Sequence, residues 1–105
     1  MPGIDFRQLR RETTMEQILD LLGFECLHRR GDQWHGHCPV HETTARRRRR
    51  EFSVNVALHC YYCHKCLSKG DQLSLWAAAT KQPLHPAAIE LCHRLGRQVP
   101  WLHRW

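Results

Sequence analysis

The chain has 105 residues and a formal charge of +6, with 16 Lys and Arg against 10 Asp and Glu. That length suits one domain with a modest core, and no apolar run approaches the roughly 18 residues of a membrane span. Met1-Pro2-Gly3-Ile4-Asp5 lacks the basic-then-apolar layout of a secretory signal, so the six cysteines are expected to be metal-binding thiols of a cytoplasmic protein rather than three disulfides.

Asp5 is placed to cap a short helix running through Glu12. Thr14 with Gln17 spells a capping box. Met15, Ile18, Leu19 and Leu22 then recur at helical spacing up to Gly23, a natural terminator. Phe24 to His28 and Gln33 to His37 flank Arg29-Arg30-Gly31-Asp32, which is a hairpin signature. Cys26 is expected to be a small core residue on its strand. The turn Cys38-Pro39-Val40-His41 follows, and then a polar stretch, Glu42 to Arg50, that ends in five arginines and is expected to be a mobile loop.

Phe52-Ser53-Val54 reads as a strand and Leu58 to Tyr62 as its partner. After a Cys63–Cys66 turn, Ser68-Lys69-Gly70-Asp71 is expected to open a helix with Leu73, Trp76, Ala77 and Thr80 on one face, broken at Gln82-Pro83. Pro86 suits position N1 of a last helix, whose face is Ala88, Leu91, Cys92 and Leu95 and whose end is Gly96. The tail Val99-Pro100-Trp101-Leu102 is expected to dock through Trp101.

The chemistry concentrates in Cys38-Pro39-Val40-His41 and Cys60-Tyr61-Tyr62-Cys63-His64-Lys65-Cys66. Two close-spaced ligand pairs about twenty residues apart are what a tetrahedral Zn²⁺ site needs. Cys60–Cys63 and Cys63–Cys66 both have the required spacing. Tyr61-Tyr62 suits an extended strand, whereas His64-Lys65 suits a turn, so the residue types favour Cys38, His41, Cys63 and Cys66 as ligands. The spacing rule alone leaves Cys60 open. His35, His37, His59 and His64 lie near the pairs in sequence but are expected to be surface or supporting residues. Three thiolates and one imidazole leave a single Zn²⁺ with no open position, which makes it structural rather than catalytic.

These residues carry a family resemblance. Trp34-His35-Gly36-His37-Cys38-Pro39-Val40-His41, then Phe52-Ser53-Val54-Asn55, then Tyr62-Cys63-His64-Lys65-Cys66-Leu67-Ser68-Lys69-Gly70-Asp71-Gln72-Leu73 resemble the N-terminal zinc-binding domain of bacterial DnaG-type DNA primases over about Gly23 to Ala79. The interval from Val54 to Cys63 fits that family's pattern too. The resemblance implies a small α+β fold, a zinc-ribbon-like antiparallel sheet with flanking N- and C-terminal helices. It divides the chain into a helical segment 1–23, a zinc finger 24–80 with a basic loop 42–51, and a C-terminal helix and tail 81–105 packed on the same domain. It also implies a role in recognising single-stranded template during primer synthesis in DNA replication, or in a mobile element. The arginine insertion before Phe52 departs from the family, and the helical extension Leu84 to Trp101 resembles short stand-alone relatives.

The basic charge and the zinc pattern together point to DNA, preferably single-stranded. Single strands bind basic grooves that carry aromatic platforms. The candidates are Arg46, Arg47, Arg48, Arg49 and Arg50 on the loop, Lys65 and Lys69 at the second turn, and Trp34 and Tyr61 on the sheet, with Tyr61 expected to face solvent in preference to Tyr62. A separate primase, helicase or transposase subunit is the protein partner this role calls for. The rival is a protein-interaction adaptor in which zinc is purely structural and the arginines meet an acidic surface. No catalytic residue is assigned: Asp5, Asp20, Asp32 and Asp71 are scattered, and no paired carboxylates suggest a two-metal polymerase site.

Overall fold

A computed structural model describes residues 3–40 and 51–102. Side-chain caps start the first two helices. The Asp5 carboxylate accepts the Gln8 N–H at 3.0 Å to begin α1, Phe6–Glu12. Thr14 and Gln17 form the reciprocal capping box of α2, Met15–Leu21, at 3.2 and 2.8 Å. Gly23, at φ 68°, closes α2: its N–H bonds Asp20 and that of Phe24 bonds Leu19, satisfying carbonyls at the helix end.

Five antiparallel strands follow in chain order and in sheet order: β1 Cys26–Arg30, β2 Gln33–Gly36, β3 Phe52–Asn55, β4 Cys60–Cys63 and β5 Lys69–Asp71. The first hairpin is tighter than its sequence suggests. Arg30 pairs with Gln33, leaving a two-residue loop, Gly31-Asp32, with Gly31 at φ 61°. Arg29 and Arg30 are therefore strand residues. The register shifts between Cys26 and His28, and Cys26 is exposed beside this irregularity on the edge strand instead of entering the core. β4 begins two residues later than expected, because Asn55 Oδ1 accepts the Ala57 and Leu58 N–H groups at 3.0 and 2.9 Å and draws Leu58 into the connecting turn.

β5 was not foreseen; Lys69–Asp71 pairs with β4 before any helix starts. Tertiary geometry supplies this strand. The turn after Cys63 reverses the chain, and the Cys63 N–H bonds the Ser68 carbonyl at 2.9 Å, which lays the next three residues against β4. Gly70 sits at φ 148° so close to α3 that a Cβ would lie 2.7 Å from Ser74 Cβ. The helix α3, Gln72–Thr80, is capped by Asp71, whose carboxylate accepts the Ser74 N–H at 2.8 Å. Its buried residues are Gln72, Leu73, Leu75 and Trp76; Ala77 and Thr80 are only half-buried. The helix meets α2, β4, β5 and α4, so apolar burial extends beyond a single stripe.

The last helix, α4 Leu84–Leu95, starts two residues earlier than expected. Pro83 occupies its N-cap position without a side-chain cap bond, and Pro86 lies in the first turn, where N–H groups have no intrahelical partner to lose. Gly96, at φ 67°, ends it. Ala87, Ala88, Leu91 and Cys92 are buried, and the Trp76 indole donates to the Ala87 carbonyl at 2.8 Å. The tail docks through its backbone and the buried Pro100 rather than through the Trp101 ring. Asp5 N–H bonds the Pro100 carbonyl and Leu102 N–H bonds Gly3, both at 2.7 Å, while Trp101 remains exposed.

The core joins Leu9, Met15 and Ile18 of the N-terminal helices to Phe52, Val54, Tyr61 and Cys63 of the sheet and to Leu73, Trp76 and Leu91. Gln72 is the buried polar tie: its amide donates to the Arg10 and Thr13 carbonyls at 3.0 and 2.8 Å. Among the described residues, no helix is long and apolar enough to cross a membrane. The fold is a small α+β zinc-ribbon-like arrangement, as the sequence led one to expect.

Candidate metal centre

Alternation along β4 decides which cysteine faces inward. Tyr61 and Cys63 point to the buried side, Cys60 and Tyr62 to the other. The buried Cys63 meets Cys38 from the turn after β2, and Cys66 completes the group; the three sulfurs all lie within 4.8 Å of one another. Cys60 is exposed and outside this group. No disulfide joins any of the six cysteines.

The thiol geometry fits a zinc ion. Cys38 Sγ and Cys66 Sγ are 3.8 Å apart, which is about the edge of a tetrahedron with Zn–S bonds of ~2.3 Å. Backbone N–H groups point at the sulfurs: Val40 N–H to Cys38 Sγ and Cys66 N–H to Cys63 Sγ, both at 3.4 Å. Burial opposes ionisation of Cys63, but the Cys66 and Lys65 N–H groups and the neighbouring Cys66 and Cys38 thiols outweigh it and hold its pKa below the ordinary thiol value. This donor set can hold a soft divalent cation. His41 and Arg46 to Arg50 lie outside the described residues.

The other histidines are placed elsewhere. His59, at φ 54°, accepts the Met15 N–H on Nδ1 at 3.1 Å and ties the β3–β4 turn to the start of α2. His64 is exposed and meets the Tyr62 ring edge-on at a centroid distance of 4.7 Å. His35 stands across from His28, with ring centroids 6.0 Å apart. His37 is half-buried next to Cys38 but does not belong to the thiol group.

The sheet corrects one expected aromatic platform. Tyr61 is 5% exposed; its ring stacks on Phe52 at 5.7 Å and its hydroxyl lies 2.7 Å from Ser68 Oγ. Burial pushes its phenol pKa up. Because Cys63 faces the core, the residue two positions earlier must do so too, and this alternation was the available signal. Trp34 is half-buried and pairs with Val54, with the Arg29 guanidinium 4.0 Å from its ring centroid. Lys65 and Lys69 are exposed. The opposite sheet face carries the row His28, His35, Ser53, Tyr62, Lys69 across all five strands. No residue of that row is buried. Beside it, Gln33, Ser53, Asn55, Leu58 and Tyr62 border a shallow cavity of about 270 Å³.

The comparisons with known proteins agree with this architecture. The chain is 34% identical over 83 residues to a DNA primase of Treponema pallidum, an alignment covering 78% of this chain and 13% of that protein. It thus spans a small fraction of that relative's length. Its fold is similar to a crystal structure of the Aquifex aeolicus primase comprising zinc-binding and RNA polymerase domains, with a TM-score of 0.70 and 23% identity over 92% of this chain and 23% of that one. The family model described as the CHC2 zinc finger, the DnaG zinc ribbon, matches residues 5–104. With the converging thiols already in place, that match shows that this chain belongs to the CHC2 zinc finger family of DnaG-type zinc ribbons.

Proposed function

We propose that this chain is a zinc-braced module that binds single-stranded DNA in primer synthesis, working with a separate catalytic primase subunit. The observation that carries the metal part is the convergence of Cys38, Cys63 and Cys66 from separate turns. His41 supplies the fourth ligand in this reading, since it forms the close-spaced pair with Cys38. When bound, the ion cross-links the turn after β2 to the turn after β4; with four protein ligands it has no position left for a substrate.

The DNA part is supported by the net charge of +6 and by the uncovered sheet row that carries Tyr62 and Lys69. Tyr62 takes the platform role first assigned to Tyr61, Lys65 and Lys69 offer phosphate contacts, and Arg46 to Arg50 add sequence-independent charge. Segments 1–23, 24–80 and 81–105 act as one unit in this reading, since Gln72 and Asp71 bond the N-terminal helices to α3 and the Trp76 indole bonds α3 to α4.

Two measurements test it. Native mass spectrometry should find one zinc per chain. Fluorescence anisotropy should find tighter binding of single- than of double-stranded oligonucleotides, weakening steeply as salt rises. Equally negligible affinity for both at low salt would overturn the DNA reading and leave the adaptor role.

A further inference from the structure

Among the described residues, three that are not glycine adopt a left-handed backbone: His59, Leu67 and Lys81, at φ 54°, 62° and 56°. Two have side-chain or capping reasons. Lys81 ends α3 with its N–H on the Ala78 carbonyl at 3.2 Å, and His59 bonds the start of α2. Leu67 is different. The turn needs its backbone, because the Leu67 N–H bonds the Cys63 carbonyl at 2.9 Å and the chain then returns so that Ser68 accepts the Cys63 N–H. Nothing in that turn needs a leucine. Glycine or asparagine adopts this conformation with less strain. The side chain is 63% exposed and is not among the apolar residues packed against the core.

The stretch that carries this apolar tip is basic. Lys65 and Lys69 are exposed in it, and no carboxylate occurs from His64 through Gly70. Lys69 also pairs with Tyr62 on the uncovered sheet row. A bulky apolar group projecting from a basic turn is suited to an unstacked base flanked by phosphates; apolar side chains serve as wedges against bases in other nucleic-acid complexes. We propose that Leu67 packs against an unstacked base of a single strand while Lys65 and Lys69 hold the neighbouring phosphates. This rests on the DNA-binding reading above and adds a specific base contact at the metal turn.

The test uses the zinc-loaded full chain and its Leu67→Gly and Leu67→Asn variants, with fluorescein-labelled oligothymidylate and an otherwise identical strand carrying abasic sites. Both variants should weaken Kd for the intact strand by about fivefold or more. Their affinity for the abasic strand should match that of the wild type, and their salt dependence should stay the same because the phosphate contacts remain. Leu67→Gly should also raise Tm by a few degrees, since it relieves the backbone strain. Wild-type binding with unchanged affinity in both variants would overturn the wedge, leave the DNA reading intact and assign the tip to a protein surface. A fall in Tm for both variants would also overturn it, by showing that Leu67 serves packing. Absence of single-strand binding by the wild type would instead bring down the DNA reading itself.

Discussion

The two faces of the sheet are built from alternating residues of the same strands and differ in burial. One face turns Phe52, Val54, Tyr61 and Cys63 inward, and all four are buried. The other presents His28, His35, Ser53, Tyr62 and Lys69, none of them buried. Since side chains alternate with period 2, placing Cys63 at the metal fixes the direction of its strand neighbours. The inner face is committed to packing and to the thiol cluster, whereas the outer face is free to carry recognition. Inner-face substitutions should therefore be lost to stability, and outer-face substitutions to binding.

The largest effect should come from Cys63→Ser. It removes one of the three sulfurs of the cluster, and structural zinc contributes apparent binding free energies of ~10–16 kcal/mol in small zinc-dependent folds. Native mass spectrometry should show loss of the tightly held ion, and thermal unfolding should shift sharply downward. A variant that keeps one zinc and its original Tm would break the division between faces at its root.

Phe52→Ala comes next. Its ring lies 5.4 Å from Phe24 and 5.7 Å from Tyr61 between centroids, and removing it should cost about 3–5 kcal/mol in urea unfolding. Tyr62→Ala sharpens the contrast from the other side. It should weaken single-strand binding by about 1–3 kcal/mol while moving the urea midpoint little. A Tyr62→Ala variant that unfolds readily yet binds DNA normally would reverse the assignment of the two faces.

Asp71 gives the smallest effect, at the edge of the outer face. Burial opposes its charge, but the Ser74 N–H and the Arg10 guanidinium, 2.6 Å away, outweigh it and lower its pKa below the ordinary value of 3.8. A carboxyl with a depressed folded pKa adds stability above its unfolded pKa and loses it as pH falls through the folded value. The stability difference between wild type and Asp71→Asn should therefore be full near neutrality and shrink in acid below about pH 4, as followed by urea midpoints. A difference that grows on acidification would contradict this ion pair.

Local signals were readable wherever the determining residues lie close in sequence. The Thr14–Gln17 box, the Gly23 and Gly96 terminators and the Asp71 cap all satisfy helix-end groups within a few positions, and each is present. The thiol group was legible for the same reason, since a two-residue spacer between Cys63 and Cys66 sets a tight turn. Where the sequence reading went astray, the deciding contact was remote. Lys69–Asp71 has little strand character of its own and pairs only because the metal turn folds it onto β4. Cys26 looked like a core residue, but a register shift on the edge strand leaves it outside. Tyr61 was expected to face solvent in preference to Tyr62, although alternation from the inward-facing Cys63 places Tyr61 inside.

What the amino-acid order determined by itself was the caps at Asp5, Thr14 and Asp71, the terminators Gly23 and Gly96, the close spacing of Cys63 and Cys66 and the family, because short-range hydrogen bonds and ligand spacing are properties of neighbouring residues. Only the tertiary structure decided which sheet face is sealed, that a fifth strand exists, that Gln72 bridges to Arg10 and Thr13, and that Leu67 stands exposed in a left-handed turn. Each of these depends on groups distant in the chain, or on burial around them, and burial exists only once the helices and the sheet have packed together.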